Sequence, residues 1–565
     1  MAGWAAASVW GGATTASLSL PPVNQERLAE WQAMRFGLFI HWGPVSLKGT
    51  EIGWSRGQQV PVEEYDQLYH RFNPTNFNAE TWARIARDAG MKYVVFTTKH
   101  HDGFCEWDTK QTDYDIMHTP FGRDVVKELA AAVRKEGLMF GVYHSICDWY
   151  HPDYPLGSPG GKTKKPSPNM DRYNAYLKAQ LKELLTGYGP VGVLWFDGSW
   201  EKPWTVERGL DLYRWVRGLQ PDILVNNRVA GRHDAAGNPA RSPFHGDFDT
   251  PEQRIGTYQD SRPWETCMTI CRQWAWKPND QLKSLSECVL TLVRCAGGDG
   301  NLLFNVGPRP DGTIEPRQVA RLREIGAWLR QNGESIYGTR GGPWKPTRRI
   351  ASTRRGNVIY LHLMQLPEDT DAVTLPALPR GIVRATRLGG GPVTVTVKGD
   401  QWQVRVPAAE RDPMDTIVKL ELDGTAMTLT AVALPRLMDF AETAASNVYQ
   451  QQKQFGPDAA FDENAGSRWA TDGGVHQAWI SAVLKQPRTL TGVRIQEAAP
   501  YFRVRRFEFQ YRAGPDQPWR TLFTGKRLGG HFHRTFPPVT AQAVRLNILE
   551  ATDGPTISEI ELMGK

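Results

Sequence analysis

Cysteine is scarce in this chain: six residues among 565, all before position 300. Cys105, Cys147, Cys267, Cys271, Cys288 and Cys295 include no CxxC pair. That disfavours zinc ribbons and thioredoxin-like redox sites and favours buried thiols. Long apolar runs are absent too: no stretch reaches the roughly 18 apolar residues of a transmembrane helix, so no membrane span is expected. Charge of one sign is in little excess, with 67 Lys and Arg against 60 Asp and Glu and a formal net charge of +7. Such a balance does not call for a nucleic-acid partner, and no RNP, KH or finger pattern occurs. Hydrophobic residues at 40% and charged residues at 22% exclude a disordered chain.

What the chain does have is length and tryptophan. At roughly 100–200 residues per domain, its length predicts two or three modules, with room for an α/β barrel of about 250 residues or more. Of 21 tryptophans, 17 precede residue 346. The flat apolar face and single N–H donor of tryptophan suit the faces and rims of sugar rings; aromatic core filling is the alternative. Met1 to Leu20 is rich in Ala, Gly, Ser and Thr and resembles a signal-peptide remnant without a basic n-region. The expected location is periplasmic or secreted, with a trimmed or tagged N-terminus as the other reading.

From residue 31 to about 340, short β-rich runs alternate with amphipathic helical stretches. The strand candidates are 36–43, 92–101, 139–145, 192–198, 223–228, 266–270 and 301–306. Near-continuous apolar strands in repeated βα units predict a parallel sheet or barrel. Polar residues gather at the C-terminal end of one strand after another: His41, Lys99 to Asp102, Tyr143 and His144, Asp197, and Asn226 to Arg228. Convergence of all strand ends on one face is the property of a barrel, so the fold class read here is α/β with a (β/α)8-like barrel. Residues 346–430 alternate strands with Gly/Pro/Asp turns, as in a small β-sandwich, and a second β-rich block runs from about 440 to 565. The segment 434–446 between them has a helical tendency. The predicted domains are 22–345, 346–432 and 440–565.

Asp197 closes the most apolar strand and would stand at the barrel mouth, although a helix N-cap is an equal use for such an aspartate. The adjacent His100 and His101 point different ways from a strand end and suit hydrogen bonds to hydroxyls. With His41, His144, Asp148 and Asp197 they also leave a metallohydrolase as a competing reading. Glu252 and Glu265 lie in later loops. Glycoside hydrolysis needs two carboxyl groups, about 5–5.5 Å apart for retention and about 6.5–9.5 Å for inversion. Either glutamate taken alone is better read as a surface charge on a loop; if one is the acid/base, Glu252 in its proline-containing loop is favoured, with Glu265, held between Trp264 and Cys267 at the start of a strand, as the alternative.

In combination, Phe36 to Gly43 (FGLFIHWG), Lys99 to Phe104 (KHHDGF), Trp195 to Gly198 (WFDG), Trp264 to Cys267 (WETC), Gly300 to Pro308 and Asn332 to Tyr337 resemble the α-L-fucosidases of glycoside hydrolase family 29. The resemblance implies a barrel followed by a small β-sandwich, and a retaining mechanism without metal or organic cofactor. Asp197 matches the nucleophile. His41, His100 and His101 match histidines that hold fucose hydroxyls, Tyr143 a pocket tyrosine, and Arg228 an arginine near sugar and nucleophile. Many members carry an adjacent Glu-Trp pair where this chain reads Glu51-Ile52-Gly53-Trp54, so Glu51 and Trp54 are expected to contact the sugar. Trp274 and Trp276 match an apolar wall against the fucose methyl group. With Trp42, Trp195, Trp200 and Trp264, they place the tryptophan excess in or beside the site loops.

Residues 440–565 resemble a coagulation-factor-5/8 C-type (discoidin-like) module through Ala460-Phe461-Asp462, Ser467-Arg468-Trp469, Ala478-Trp479-Ile480, Val544-Arg545-Leu546 and Ile557-Ser558-Glu559-Ile560. The resemblance implies a carbohydrate-binding role, or a structural appendage without ligand, and a structural calcium with Asp462 and Glu559 as candidate contacts. The function expected is release of terminal L-fucose from oligosaccharides or glycoconjugates. The first-loop variant, the DTPEQ stretch and the added module resemble the branch that prefers α-1,3/1,4-linked fucose. An α-1,2-fucosidase acting on xyloglucan-type glycans and a non-catalytic fucose lectin are the alternatives.

Overall fold

The computed structural model describes residues 20, 22–242, 244–366, 370, 372–434, 440–462, 467–498, 501–514, 516–530 and 532–564. The leader-like stretch 1–19 lies outside the described residues. Seven strands form one parallel sheet: β1 (Phe36–Ile40), β2 (Tyr93–Lys99), β3 (Met139–Ser145), β4 (Val193–Asp197), β5 (Leu224–Val225), β6 (Glu265–Thr269) and β7 (Asn301–Val306). Their order is β5-β4-β3-β2-β1-β7-β6, so the sheet begins and ends on strands that are neighbours in sequence.

The segment 247–253 joins those two ends. On one side Asp247 N donates to Val225 O (2.7 Å) and Asn227 N to Phe248 O (2.9 Å). On the other, Glu265 N donates to Asp249 O (2.8 Å), Cys267 N to Pro251 O (3.1 Å) and Gln253 N to Cys267 O (2.9 Å). This is the eighth stave of the barrel. It is irregular because Pro251 has no N–H to give and Gln253 takes a left-handed φ of 52°. Glu252 therefore stands on a bonded stave and not on a free loop.

Helices pack outside the sheet with the apolar spacing the sequence predicts. Ala79–Asp88 buries Trp82, Ala83, Ile85 and Ala86; Val125–Lys135 buries Val126, Leu129, Ala130 and Val133. Asn78 and Asp124 cap them by accepting from Thr81 N and Lys127 N. Inside, Phe39, Tyr93, Tyr143, Trp195, Phe248 and Leu303 fill the barrel. Fully burying such a side chain is worth about 1.5–3 kcal/mol, and this packing gives the strand ends above it a rigid floor.

Two antiparallel sheets follow, of five and three strands, sharing a core around Trp344, Leu361, Trp402 and Leu420. The last block is a seven-stranded sheet built on two long strands, Ala478–Glu497 and Phe532–Ala551. Phe440–Ala445 pairs with the first of these as a strand, which corrects the helical expectation there; residues 435–439 lie outside the described residues. Backbone pairing across the sheet outweighs the local propensity of a short Ala/Glu run. Glu561 of this block pairs with Arg348 (3.1 Å) and Arg349 of the middle one. All six cysteines are free, buried thiols. Among the described residues no helix is long and apolar enough to cross a membrane.

Candidate active site

A cleft of about 360 Å³ opens at the C-terminal ends of the strands. Asp197 ends β4 at its base. One oxygen accepts from Arg228 Nη1 (2.9 Å); the other accepts from the Tyr143 hydroxyl (3.2 Å) and lies 3.7 Å from His101 Nε2. Burial works against ionisation of this carboxyl, but the Arg228 charge beside it prevails and holds it below the usual aspartate range. Arg228 is itself buried, yet Asp197 and Glu252 keep its guanidinium firmly charged. Its Nη2 reaches Glu252 Oε2 at 2.8 Å, its Nε reaches Thr250 Oγ1 at 3.0 Å, and its cationic carbon sits 4.6 Å above the Trp195 ring. One planar fork thus holds both carboxylates.

The histidines around Asp197 are neutral at ordinary pH. Burial drives His41 down to about 3, His101 to about 4, and His100 well below its usual value. Asn305 Nδ2 donates to Trp274 O (2.8 Å), which turns its Oδ1 toward His41 Nδ1 at 2.7 Å. His41 therefore donates through Nδ1 and keeps Nε2 as a free acceptor site on the ring. His100 stacks on Tyr143, with ring centroids 5.4 Å apart, and also lines the cleft. His101 does not. It lies behind Asp197, its Nδ1 2.7 Å from Ser145 Oγ, under the rings of Trp54, Trp149 and Trp200.

Two more expected sugar contacts lie off the cleft lining. Glu51 takes the amides of Trp274 (2.9 Å), Ala275 (3.0 Å) and Ile52 (3.1 Å), and burial pushes its carboxyl up to about 7. It fixes the backbone that presents Trp274 and does not line the cleft. Trp276 packs near Gly49 beside the first loop, outside the lining. Trp54, Trp195, Trp200 and Trp274 do line the cleft. Trp42 packs instead against Phe72, Phe77 and Trp82, and Trp264 fits over Gly256 and Gly300, so these two are core.

Glu265 lies one layer below the cleft and is fully buried. Its oxygens accept from the Tyr93 hydroxyl and from Trp195 Nε1 (3.0 Å), and burial raises its carboxyl to about 7. Asn227, within the polar strand end read from the sequence, also lines the cleft, as do Phe39, Arg232, Thr250 and Cys267, which no sequence reading singled out. A signal existed for one of them: Phe248, Thr250 and Glu252 alternate, and this period of two marks one face of a strand.

In the terminal block both Asp462 oxygens accept from Ser467 Oγ (2.8 and 2.7 Å), while Glu559 is a buried strand residue opposite Gln496. Among the described residues no three His, Cys, Asp or Glu side chains gather to hold a metal.

The sequence profile described as "Alpha-L-fucosidase" matches residues 13–334, and that described as "F5/8 type C domain" matches 441–562. The chain is 30% identical over 433 residues to an alpha-L-fucosidase of Dictyostelium discoideum, covering 70% of this chain and 89% of that one. It is 30% identical to human tissue alpha-L-fucosidase over 62% and 78% of the two chains. Its structure resembles alpha-L-fucosidase isoenzyme 1 of Paenibacillus thiaminolyticus, with a TM-score of 0.63 and 35% identity over 71% of this chain and 99% of that one. It also resembles a Bacteroides thetaiotaomicron GH29 alpha-L-fucosidase trapped as a covalent intermediate, with a TM-score of 0.63 and 27% identity over 71% and 96%. With more than half its length matched and its strand ends carrying the corresponding chemistry, the chain belongs to the alpha-L-fucosidase family of glycoside hydrolases, GH29, and ends in an F5/8 type C domain.

Proposed function

We propose that the enzyme is a retaining exo-α-L-fucosidase in which Asp197 is the nucleophile and Glu252 the acid/base. The observation that carries this reading is the single guanidinium of Arg228 between the two carboxylates. Two carboxylates on one fork favour the close spacing of a retaining pair, about 5–5.5 Å. Asp197, kept ionised, attacks the anomeric carbon while Glu252, protonated in the substrate complex, gives its proton to the departing glycosidic oxygen. The resulting fucosyl ester on Asp197 is opened by water, whose proton returns to Glu252. The covalent intermediate trapped in the Bacteroides relative supports the same course here. His41 and His100, neutral and lining the cleft, exchange hydrogen bonds with fucose hydroxyls, and Trp274 offers an apolar face to the methyl group. Glu51 is a positioning residue for Trp274. The scheme calls for no metal or organic cofactor.

The substrate is a fucosylated oligosaccharide, with α-1,3/1,4-linked fucose favoured by the Glu51-Ile52-Gly53-Trp54 loop and the added C-terminal module. We assign that module, 440–565, a carbohydrate-binding role on its domain resemblance. A panel of oligosaccharides with defined fucosyl linkages, read by released fucose, tests the linkage: branched α-1,3/1,4 substrates should be cleaved fastest, and a preference for α-1,2 substrates would overturn it. Proton NMR of the first-formed sugar should show α-L-fucose; β-L-fucose appearing first would mean inversion.

A further inference from the structure

A second cleft, of about 750 Å³, opens beside the catalytic one. It is bounded by Met170 and Asn174 at the start of the helix Met170–Gly187, by Lys202 and Thr205 in the loop after β4, and by Ala235 and Ala236 beyond β5. The same two loops build both hollows. Trp200 and Arg232 line the catalytic cleft, while Lys202 and Ala235 line the second. Two or three residues separate the members of each pair, at most about 7–11 Å of backbone.

The ridge between them is rigid. Val206 N donates to His233 O (2.9 Å), and a Cβ on Gly231 would come within 2.2 Å of the Thr205 backbone, so only glycine allows the two loops this approach. The far wall is also preformed: Asp234 Oδ1 accepts from the amides of Ala236 and Asn238, both at 2.9 Å, fixing the turn. Asn174 lines the cleft from the helix side and brings a side-chain amide to its wall. Of the lining carboxylates, Asp171 and Asp211 are paired with Arg208 (2.8 Å) and Lys178 (2.6 Å), and Glu207 and Lys202 add one charge of each sign. The wall is therefore polar and nearly charge-balanced, which fits an uncharged, hydroxyl-bearing ligand. Among the described residues no aromatic ring lines it, so hydroxyl recognition and not ring stacking would hold a sugar there.

We infer that this cleft is a distal subsite for uncharged sugar residues of the leaving oligosaccharide, reached from the catalytic cleft across the Thr205–His233 ridge. The inference rests on the proposed fucosidase reading and adds length recognition to it. The test compares kcat/KM on an aryl α-L-fucoside and on neutral fucosylated oligosaccharides that share one terminal linkage but increase in length. Wild type, Asn174→Ala and Ala236→Trp are measured side by side. Wild type should gain about tenfold from the shortest to the longest oligosaccharide, and each variant should lose most of that gain while keeping its rate on the shortest substrate. Ala236 lies on an exposed turn, so its variant still reads the cleft if Asn174→Ala does not fold. Length-independent rates in wild type, or equal losses on short and long substrates in Ala236→Trp, would overturn the subsite. Absence of fucose release from every substrate would instead overturn the proposed function, and the subsite with it.

Discussion

Asp197 at the barrel mouth and Glu265 one layer beneath it are both buried carboxylates, yet the protein treats them in opposite ways. Burial opposes the charge on each. At the mouth, the Arg228 cation overrides it and Asp197 stays ionised. In the layer below, the partners are neutral donors, Tyr93 and Trp195, and the Glu265 carboxyl rises to about 7. Depth does not separate an ionised buried carboxylate from a neutral core acid; the charge of the nearest partner does.

Breaking the mouth should have the largest effect. Asp197→Ala is expected to lower kcat/KM by about 10⁴-fold or more with the fold intact, since the proposed nucleophile has no substitute. Near-normal turnover in that variant would remove Asp197 from the chemistry. Glu252→Ala should cost about 10²–10⁴-fold on natural glycosides, and added azide should restore part of the rate by taking the place of the activated water. Rescue seen only in a Glu265 variant would reverse the assignment of the two glutamates.

Arg228→Met sharpens the comparison by making the mouth resemble the layer below. With the guanidinium gone, burial acts unopposed, the Asp197 carboxyl rises, and the acid limb of the kcat/KM profile moves to higher pH. A loss of about 10²-fold near neutrality is expected, similar to the removal of one strong preorganised donor. An acid limb that stays in place would show that Arg228 does not set the charge of Asp197.

The smallest effect on activity should come from Glu265→Gln, within a few-fold of wild type. Its signature is in stability. The Glu265 carboxyl is raised in the folded state, so the native protein binds the extra proton and loses stability as pH climbs from the ordinary glutamate range toward about 7. The glutamine variant lacks that loss, and its stability relative to wild type should increase over this interval by up to about 3 kcal/mol. A flat difference between pH 4.5 and 7 would contradict the buried-acid account.

Much of this mouth is legible in the chain because parallel strands are apolar until they end, and the first polar residue after each run falls on the shared face. His41, His100, Asp197 and Arg228 are read that way. The eighth stave escapes such a reading: 247–253 contains a proline and a left-handed Gln253, and its alternation is only three residues long. Glu51 and Trp276 escape it for another reason. A carboxylate can satisfy backbone amides as readily as sugar hydroxyls, and an indole can pack beside a loop as readily as against a methyl group. Trp42 and Trp264 show the same ambiguity resolved toward the core. Which use prevails depends on the loop packed opposite, information that one stretch of sequence does not carry.

The most direct test of the central claim is to trap the intermediate. Incubation with 2-fluoro-fucosyl fluoride, followed by peptide mass spectrometry, should place one fucosyl ester on the peptide that contains Asp197. A label on Glu252 or Glu265, or inactivation without any covalent label, would contradict the account.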